Sequence, residues 1–202
     1  IASLMRKWME HAATGQTALQ YGTTAGDMEL RSELVSRLRR EGVLSPGAEV
    51  NTAHALIGSG SQQLLYLAAE ALLDEGDIVL VEAPTYFVVL GVFLARGARI
   101  IGIDTDEQGI RPEKVAECLE RLHRQGERPR VKMLYVMTYA TNPLGVTLSL
   151  ARRKELMDIL GSHQDTGHPV LLVEDAAYRR LSFDPVPPPP LKSFDSHNES
   201  VL

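Results

Sequence analysis

The sequence predicts an α/β fold: a mostly parallel sheet with helices on both faces. Three observations carry this. From residue 78 to residue 175, short aliphatic runs alternate with longer stretches of helical periodicity. The aliphatic runs are continuous rather than alternating, as in strands covered on both faces. Glycine, proline and serine punctuate the boundaries: Gly97 closes one helix, while Pro112 and Ser149 open two others.

The elements follow in order. Residues 2–13 read as an amphipathic helix. Gly22, Gly26 and the intervening threonines make a loop. Asp27 caps a helix whose Leu30, Leu34 and Leu38 share one face, and Gly42 ends it. A short strand is expected at Ala53 to Ile57, then a Gly/Ser turn and a helix from Ser61 to about Asp74. "IVLVEA" (78–83), "ARIIGID" (98–104), "VKMLYVM" (131–137) and "PVLLVED" (169–175) read as strands. Residues 85–97, 111–126 and 149–164 read as the helices between them. "PVPPPP" (185–190) is an extended connector.

The 202 residues carry a formal charge of −5 with lysines and arginines scattered, so no basic stripe points to nucleic acid. The apolar runs fall short of a membrane span. One cysteine, Cys118, excludes an internal disulfide and suits a reducing compartment. The six histidines show no paired ligand spacing, so no metal site is expected. The chain has no starting Met and no signal-peptide core at "IASLMRKWMEHAATG", and it stops at "HNESVL". Both ends read as cuts, and a cytoplasmic location is expected.

In open parallel sheets, ligands bind beyond the carboxyl ends of the strands. Four such ends hold candidate residues. "GSGSQQ" (58–63) opens a helix; Gly60, Ser61 and Gln62 form either a phosphate cradle or a tight turn with a serine N-cap. Tyr86, in "EAPTYF", either stacks on a flat ligand or packs into the core. Asn142, before Pro143, has an amide that bonds either a ligand or its own turn. Asp175 ends an apolar strand, where a carboxylate must be paired. Its partner is either a protonated ring nitrogen, with Tyr178 reaching the same volume, or a nearby arginine such as Arg179 or Arg180.

Taken as an ordered set, "LQYGTTAGDMELRSEL", "GSGSQQ", "DEGDIVLVEAPTY", "DEQGIRPEKV", "NPLGVTLSLARRKEL" and "VEDAAYRRLSF" resemble the fold-type I, pyridoxal-phosphate-dependent class I/II aminotransferases. Within these the likeness is to the 2-aminoadipate, kynurenine and aromatic branch. The resemblance implies that the chain is the incomplete large domain of such a transferase. Residues 1–50 would be N-terminal helices and a dimer-contact loop, 51–184 the cofactor-binding core and 185–202 a connector, with the small C-terminal domain absent. By the same likeness, Gly60, Ser61 and Gln62 hold the cofactor phosphate and Tyr86 stacks on its ring. Asn142 and Tyr178 bond the ring oxygen, and Asp175 pairs with the ring nitrogen. Tyr21 reaches the phosphate of the neighbouring subunit in a homodimer. Thr138, Leu144 and Ala176 depart from the family's usual proline, threonine or serine, and acid. The family's catalytic lysine has no counterpart among Lys7, Lys114, Lys132, Lys154 and Lys192. "ESVL" is expected to enter the next strand.

The implied activity is transfer of an amino group from an amino acid to a 2-oxo acid, with the 202 residues alone incomplete for catalysis. Three other readings stay open. They are a lyase or decarboxylase on the same cofactor bed, the effector-binding domain of a transcription regulator, and an unrelated doubly wound domain.

Overall fold

Aliphatic strands buried on both faces build the centre of the computed structural model, which describes residues 1–11, 16, 20–163, 168–181 and 186–202. The strands are β1 (Ile78–Ala83), β2 (Arg99–Asp106), β3 (Gly109–Ile110), β4 (Val131–Met137) and β5 (Leu171–Asp175). Their order is β3-β2-β1-β4-β5. All neighbours are parallel except β3, which pairs antiparallel with β2. The helices are α1 (Ala2–Glu10), α2 (Met28–Arg40), α3 (Ser61–Leu72), α4 (Phe87–Ala95), α5 (Pro112–Arg124) and α6 (Leu150–Ser162).

Alternation along each strand sorts side chains into two cores. On one face, Ile78, Leu80, Leu134, Val136 and Leu172 meet Leu119 and Leu122 of α5 and Leu156 and Leu160 of α6. On the other, Val79, Val81, Met133, Tyr135 and Val173 meet Leu65 and Ala69 of α3 and Val89 and Phe93 of α4. Each aliphatic side chain so buried contributes about 1.5–3 kcal/mol. This is the double cover that continuous apolar runs imply.

The expected elements stand, with trimmed ends. Asp27 caps α2 by accepting the Leu30 N–H at 2.8 Å, and Ser149 caps α6 through Arg152. Residues 12, 13, 164 and 185 lie outside the described residues, so those ends of the expected elements are not compared.

Two expectations need correction. The strand at Ala53 to Ile57 does not form among the described residues. Asn51 accepts the Ala53 N–H at 2.8 Å, and His54 Nδ1 accepts the Asn51 N–H at 3.1 Å. This local box winds Thr52–His54 into a single 3-10 turn. Ala55 beyond it is extended, but no strand lies alongside to take its hydrogen bonds. The sheet also has an antiparallel member that the sequence reading missed. Gly109, at φ 97°, turns the chain so that Thr105 pairs with Ile110. At the far edge, Val201 bridges Leu172 in parallel, so "ESVL" does run alongside β5 as expected.

A buried ion pair fastens β5 to the rest. Arg153 is wholly buried and lies 3.4 Å from Glu174, with its guanidinium 4.4 Å over the Tyr139 ring. It also donates to the carbonyls of Thr138 (2.6 Å), Leu148 (2.9 Å) and Pro189 (3.1 Å). Arg153→Met leaves Glu174 as an uncompensated buried charge, and stability falls by about 3–5 kcal/mol. Urea unfolding followed by circular dichroism measures the loss.

Candidate functional site

The strand order reverses between β1 and β4. The chain runs outward from β1 to β2, then returns to lay β4 on the other side of β1. The crevice beyond the carboxyl ends of β1, β4 and β5 is therefore where a ligand has room to enter.

Asp175 ends β5 at this crevice. Its Oδ2 accepts the Tyr135 hydroxyl at 2.8 Å, and its Oδ1 accepts the Ala177 N–H at 3.1 Å. Both oxygens accept and neither donates, the pattern of an ionised carboxylate. The arginine alternative is overturned. Arg179 and Arg180 turn to Glu41 instead, at 3.0 and 2.8 Å. Hydrogen bonds from Arg37, Arg179 and Arg180 pull the Glu41 carboxyl down to about 2. Among the described residues, Asp175 has no cationic partner.

Tyr135 was not singled out in the sequence, although a lone tyrosine in the aliphatic run "VKMLYVM" is the available signal. Burial, then the charge of Asp175 and the bond to it, push its phenol far above the ordinary range, so it remains a donor. Glu82 was missed as well, although it is the one acid in "IVLVEA" and stands next to the end of that strand. It is 2% exposed, and its Oε2 accepts the Met137 N–H at 2.8 Å. Burial, reinforced by the charge of Asp175 and opposed by that hydrogen bond, raises its pKa to about 8.

Tyr86 and Tyr178 are half-buried against the core on the Tyr135 face of the sheet. The core-packing reading of Tyr86 holds in part: one part of the ring packs, and the rest stays accessible. The self-bonded reading of Asn142 does not hold. Its turn is closed by Thr141, whose N–H donates to Val146 O at 2.8 Å and whose Oγ1 accepts the Val146 N–H at 3.1 Å. No described residue bonds the Asn142 amide.

The serine-cap reading of "GSGSQQ" also fails. The N-cap is Gly60, at φ 99°, which has no side chain to offer, and Ser61 is the first helical residue. The first N–H groups of α3 therefore lack a side-chain cap, the condition in which a helix end accepts an anion. The Gln62 side-chain oxygen nearby is buried without a donor, as are Thr85 Oγ1 and Glu82 Oε1 at the end of β1. Ser61 and Asp175 line one cleft of about 800 Å³, walled by Leu56, Leu64, Ala176 and Leu202.

Tyr21 stands apart. It is fully exposed in a groove with Trp8 and Lys7 of α1, and the structure does not bring it to Asp175 of the same chain. Lys192, read as connector, sits in a 3-10 turn (Leu191–Phe194), where its ammonium bonds Asp195 at 2.9 Å.

The donor set fits pyridoxal phosphate. An acceptor-only carboxylate without an arginine suits a protonated ring nitrogen, and the uncapped α3 suits a phosphate.

Comparison with known proteins gives the family. The model of the family "Aminotransferase class I and II" matches residues 2–197. An aromatic-amino-acid aminotransferase of Thermococcus litoralis is 32% identical over 95% of this chain and 43% of its own length. An uncharacterized HTH-type transcriptional regulator of Bacillus subtilis, YdfD, is 33% identical over 96% of this chain and 37% of its own. Among solved structures, a Pyrococcus horikoshii kynurenine aminotransferase in complex with PMP superposes with a TM-score of 0.85 at 34% identity. That match covers 99% of this chain and 46% of the other. The chain thus spans less than half the length of these relatives.

The raised pKa of Glu82 has a sign for stability. Its carboxyl ionises near 4.5 when unfolded and near 8 when folded. Between those values the unfolded chain holds fewer protons, so Glu82 subtracts stability as pH rises from 4.5, fully by about 8. Glu82→Gln removes the titration. Its thermal midpoint relative to wild type is therefore expected to be higher at pH 8 than at pH 5, measured by differential scanning calorimetry.

Proposed function

Because the chain belongs to the class I and II aminotransferase family, we propose that it is the cofactor-binding part of an enzyme that moves an amino group from an amino acid to a 2-oxo acid with pyridoxal phosphate. One observation carries this most directly. Asp175, at the strand-order reversal, is fixed by Tyr135 and the Ala177 N–H and has no cationic partner among the described residues.

When bound, the cofactor supplies a protonated ring that withdraws electrons from the substrate's α-carbon. The chain's residues would hold that ring. The Asp175 carboxylate would accept the ring N–H and keep its proton in place. Tyr135 donates to Oδ2 of Asp175 and the Ala177 N–H to Oδ1, which fixes the carboxylate. The Asn142 amide and the Tyr178 hydroxyl would bond the ring oxygen, and Tyr86 would cover the ring and exclude water. The first N–H groups of α3, with Gly60, Ser61 and Gln62, would cap the phosphate. Exposed Tyr21 reaches the partner subunit of a homodimer, and α1, with Leu4, Met5 and Trp8 exposed, presents an apolar face beside it. We place residues 1–50 in dimer contact, 51–184 in the cofactor core and 185–202 in the connector. A cytoplasmic homodimer acting in amino acid metabolism accords with this reading.

A second reading has a specific support, the likeness to an HTH-type regulator. In it the same bed binds cofactor and effector without turnover. The sequence upstream of Ile1 in the natural protein separates the two, since a winged DNA-binding module there favours the regulator.

Two outcomes test the proposal in the natural protein that carries this chain. Asp175→Asn weakens pyridoxal phosphate binding at least tenfold, read by absorbance titration. Tyr21→Ala weakens it in the dimer, and mixing Tyr21→Ala with Asp175→Asn subunits restores a fraction of wild-type sites. No restoration would place Tyr21 outside the neighbouring site.

A further inference from the structure

Glu82 is a buried titratable group that the proposed function leaves unused. It faces the opposite side of the sheet from Asp175, sharing its face with Ile78 and Leu80. Its Oε2 takes the Met137 N–H, and its Oε1 is buried with no partner. The contact falls where two strands part. The β1–β4 ladder ends at Val81 and Tyr135, and the Glu82 side chain holds β4 beyond that point. Met137 is the last residue of β4 and lies opposite Asp175 in register. Thr138 follows it, bonded through its N–H to Asp175 O at 3.2 Å, and leads into the Asn142 turn.

Among the described residues, the ionisable groups around Glu82 offer it no cation. Tyr135 on β4 and Asp175 on β5 interact with it electrostatically, Asp104 on β2 lies opposite Ala83, and Glu174, the residue before Asp175 in β5, lies on the same face. Arg153, which reaches that face from α6, is bound to Glu174 and three carbonyls.

We propose that Glu82 is a positioning residue that works as a neutral carboxylic acid. It anchors the end of β4, and with it Tyr135 and the Asn142 turn, without putting a second negative charge beside Asp175. This rests on the reading of Asp175 as the partner of the ring nitrogen. A carboxylate at Glu82 repels Asp175 and has no counterion. The Met137 N–H favours that anion, but burial outweighs it and holds the proton on up to about pH 8. The alkaline end of the range is therefore where the anchor loosens.

The test uses the natural protein with E82Q, E82D and E82L. Gln keeps the acceptor for the Met137 N–H and cannot ionise. Asp is one methylene too short to reach it, and Leu has no acceptor. Two readouts are taken between pH 6.5 and 9.5: hydrogen-exchange protection of residues 131–148 without cofactor, and pyridoxal phosphate affinity by absorbance titration. Expected at pH 7 is affinity within about threefold of wild type for E82Q and at least tenfold weaker for E82D and E82L, with lower protection in both. Above pH 8, wild-type affinity falls about tenfold per pH unit relative to E82Q, the signature of one proton. Three results would overturn the proposal: E82Q as weak as E82D at pH 7, pH profiles of wild type and E82Q that run parallel, or E82D and E82L indistinguishable from wild type. Should E82L not fold, E82Q and E82D decide. If wild type binds no pyridoxal phosphate, the cofactor reading fails, while the exchange data still judge Glu82 by themselves.

Discussion

A guanidinium with no exposure to solvent must find its hydrogen bonds and its counter-charge inside the protein. Arg153 does so by gathering Glu174 from β5, both ends of the turn from Thr138 to Leu148, and the proline-rich stretch at Pro189. Glu174 in turn accepts the Thr138 hydroxyl and the N–H groups of Leu191 and Lys192. Segments far apart in sequence are thereby locked into one arrangement at the end of β4. A pair of this kind adds little net stability over an apolar core, but it tolerates no alternative geometry. The Asn142 turn and the start of the connector inherit their positions from it.

Three acids lie at or next to the ends of strands here, and their surroundings give them three characters. Glu174 is neutralised by Arg153. Asp175 sits between a phenol and a backbone N–H, both donors, which suits an anion waiting for a cation. Glu82 is buried, accepts one N–H, and has acidic and phenolic groups but no cation nearby among the described residues, which suits the neutral acid. Differences in hydrogen-bond partners and burial are how proteins assign different roles to chemically similar side chains. Among the described residues, the crevice at the strand-order reversal thus brings together a carboxylate without a cationic partner and the uncapped end of α3, with Tyr86 and Tyr178 half-buried nearby.

Much of this was legible in the sequence. Continuous apolar runs marked β1, β2, β4 and β5, and caps such as Asp27 and Ser149 fell where local hydrogen bonding demands them. Asp175 stood out because an acid closing a buried strand needs a partner. Glu82 carries the same signal and was passed over, and Tyr135 was hidden inside a strand that otherwise reads as core. Arg179 and Arg180 looked like natural partners for Asp175 because they lie close in sequence. Their true partner, Glu41, is more than a hundred residues away, and no local pattern reports such a pairing.

The sequence by itself determined the α/β class, most of the helices and strands, and the set of residues at the strand ends. Those properties depend on periodicity, propensity and capping, which act within a few residues of chain. Whether Ala53 to Ile57 became a strand, which acid met which base, and which carboxyl kept its proton were decided only by the tertiary structure. A strand exists only when another strand lies alongside to take its hydrogen bonds. A charge is settled by the groups and the solvent that surround it, and both are set by segments that meet only when the chain has folded.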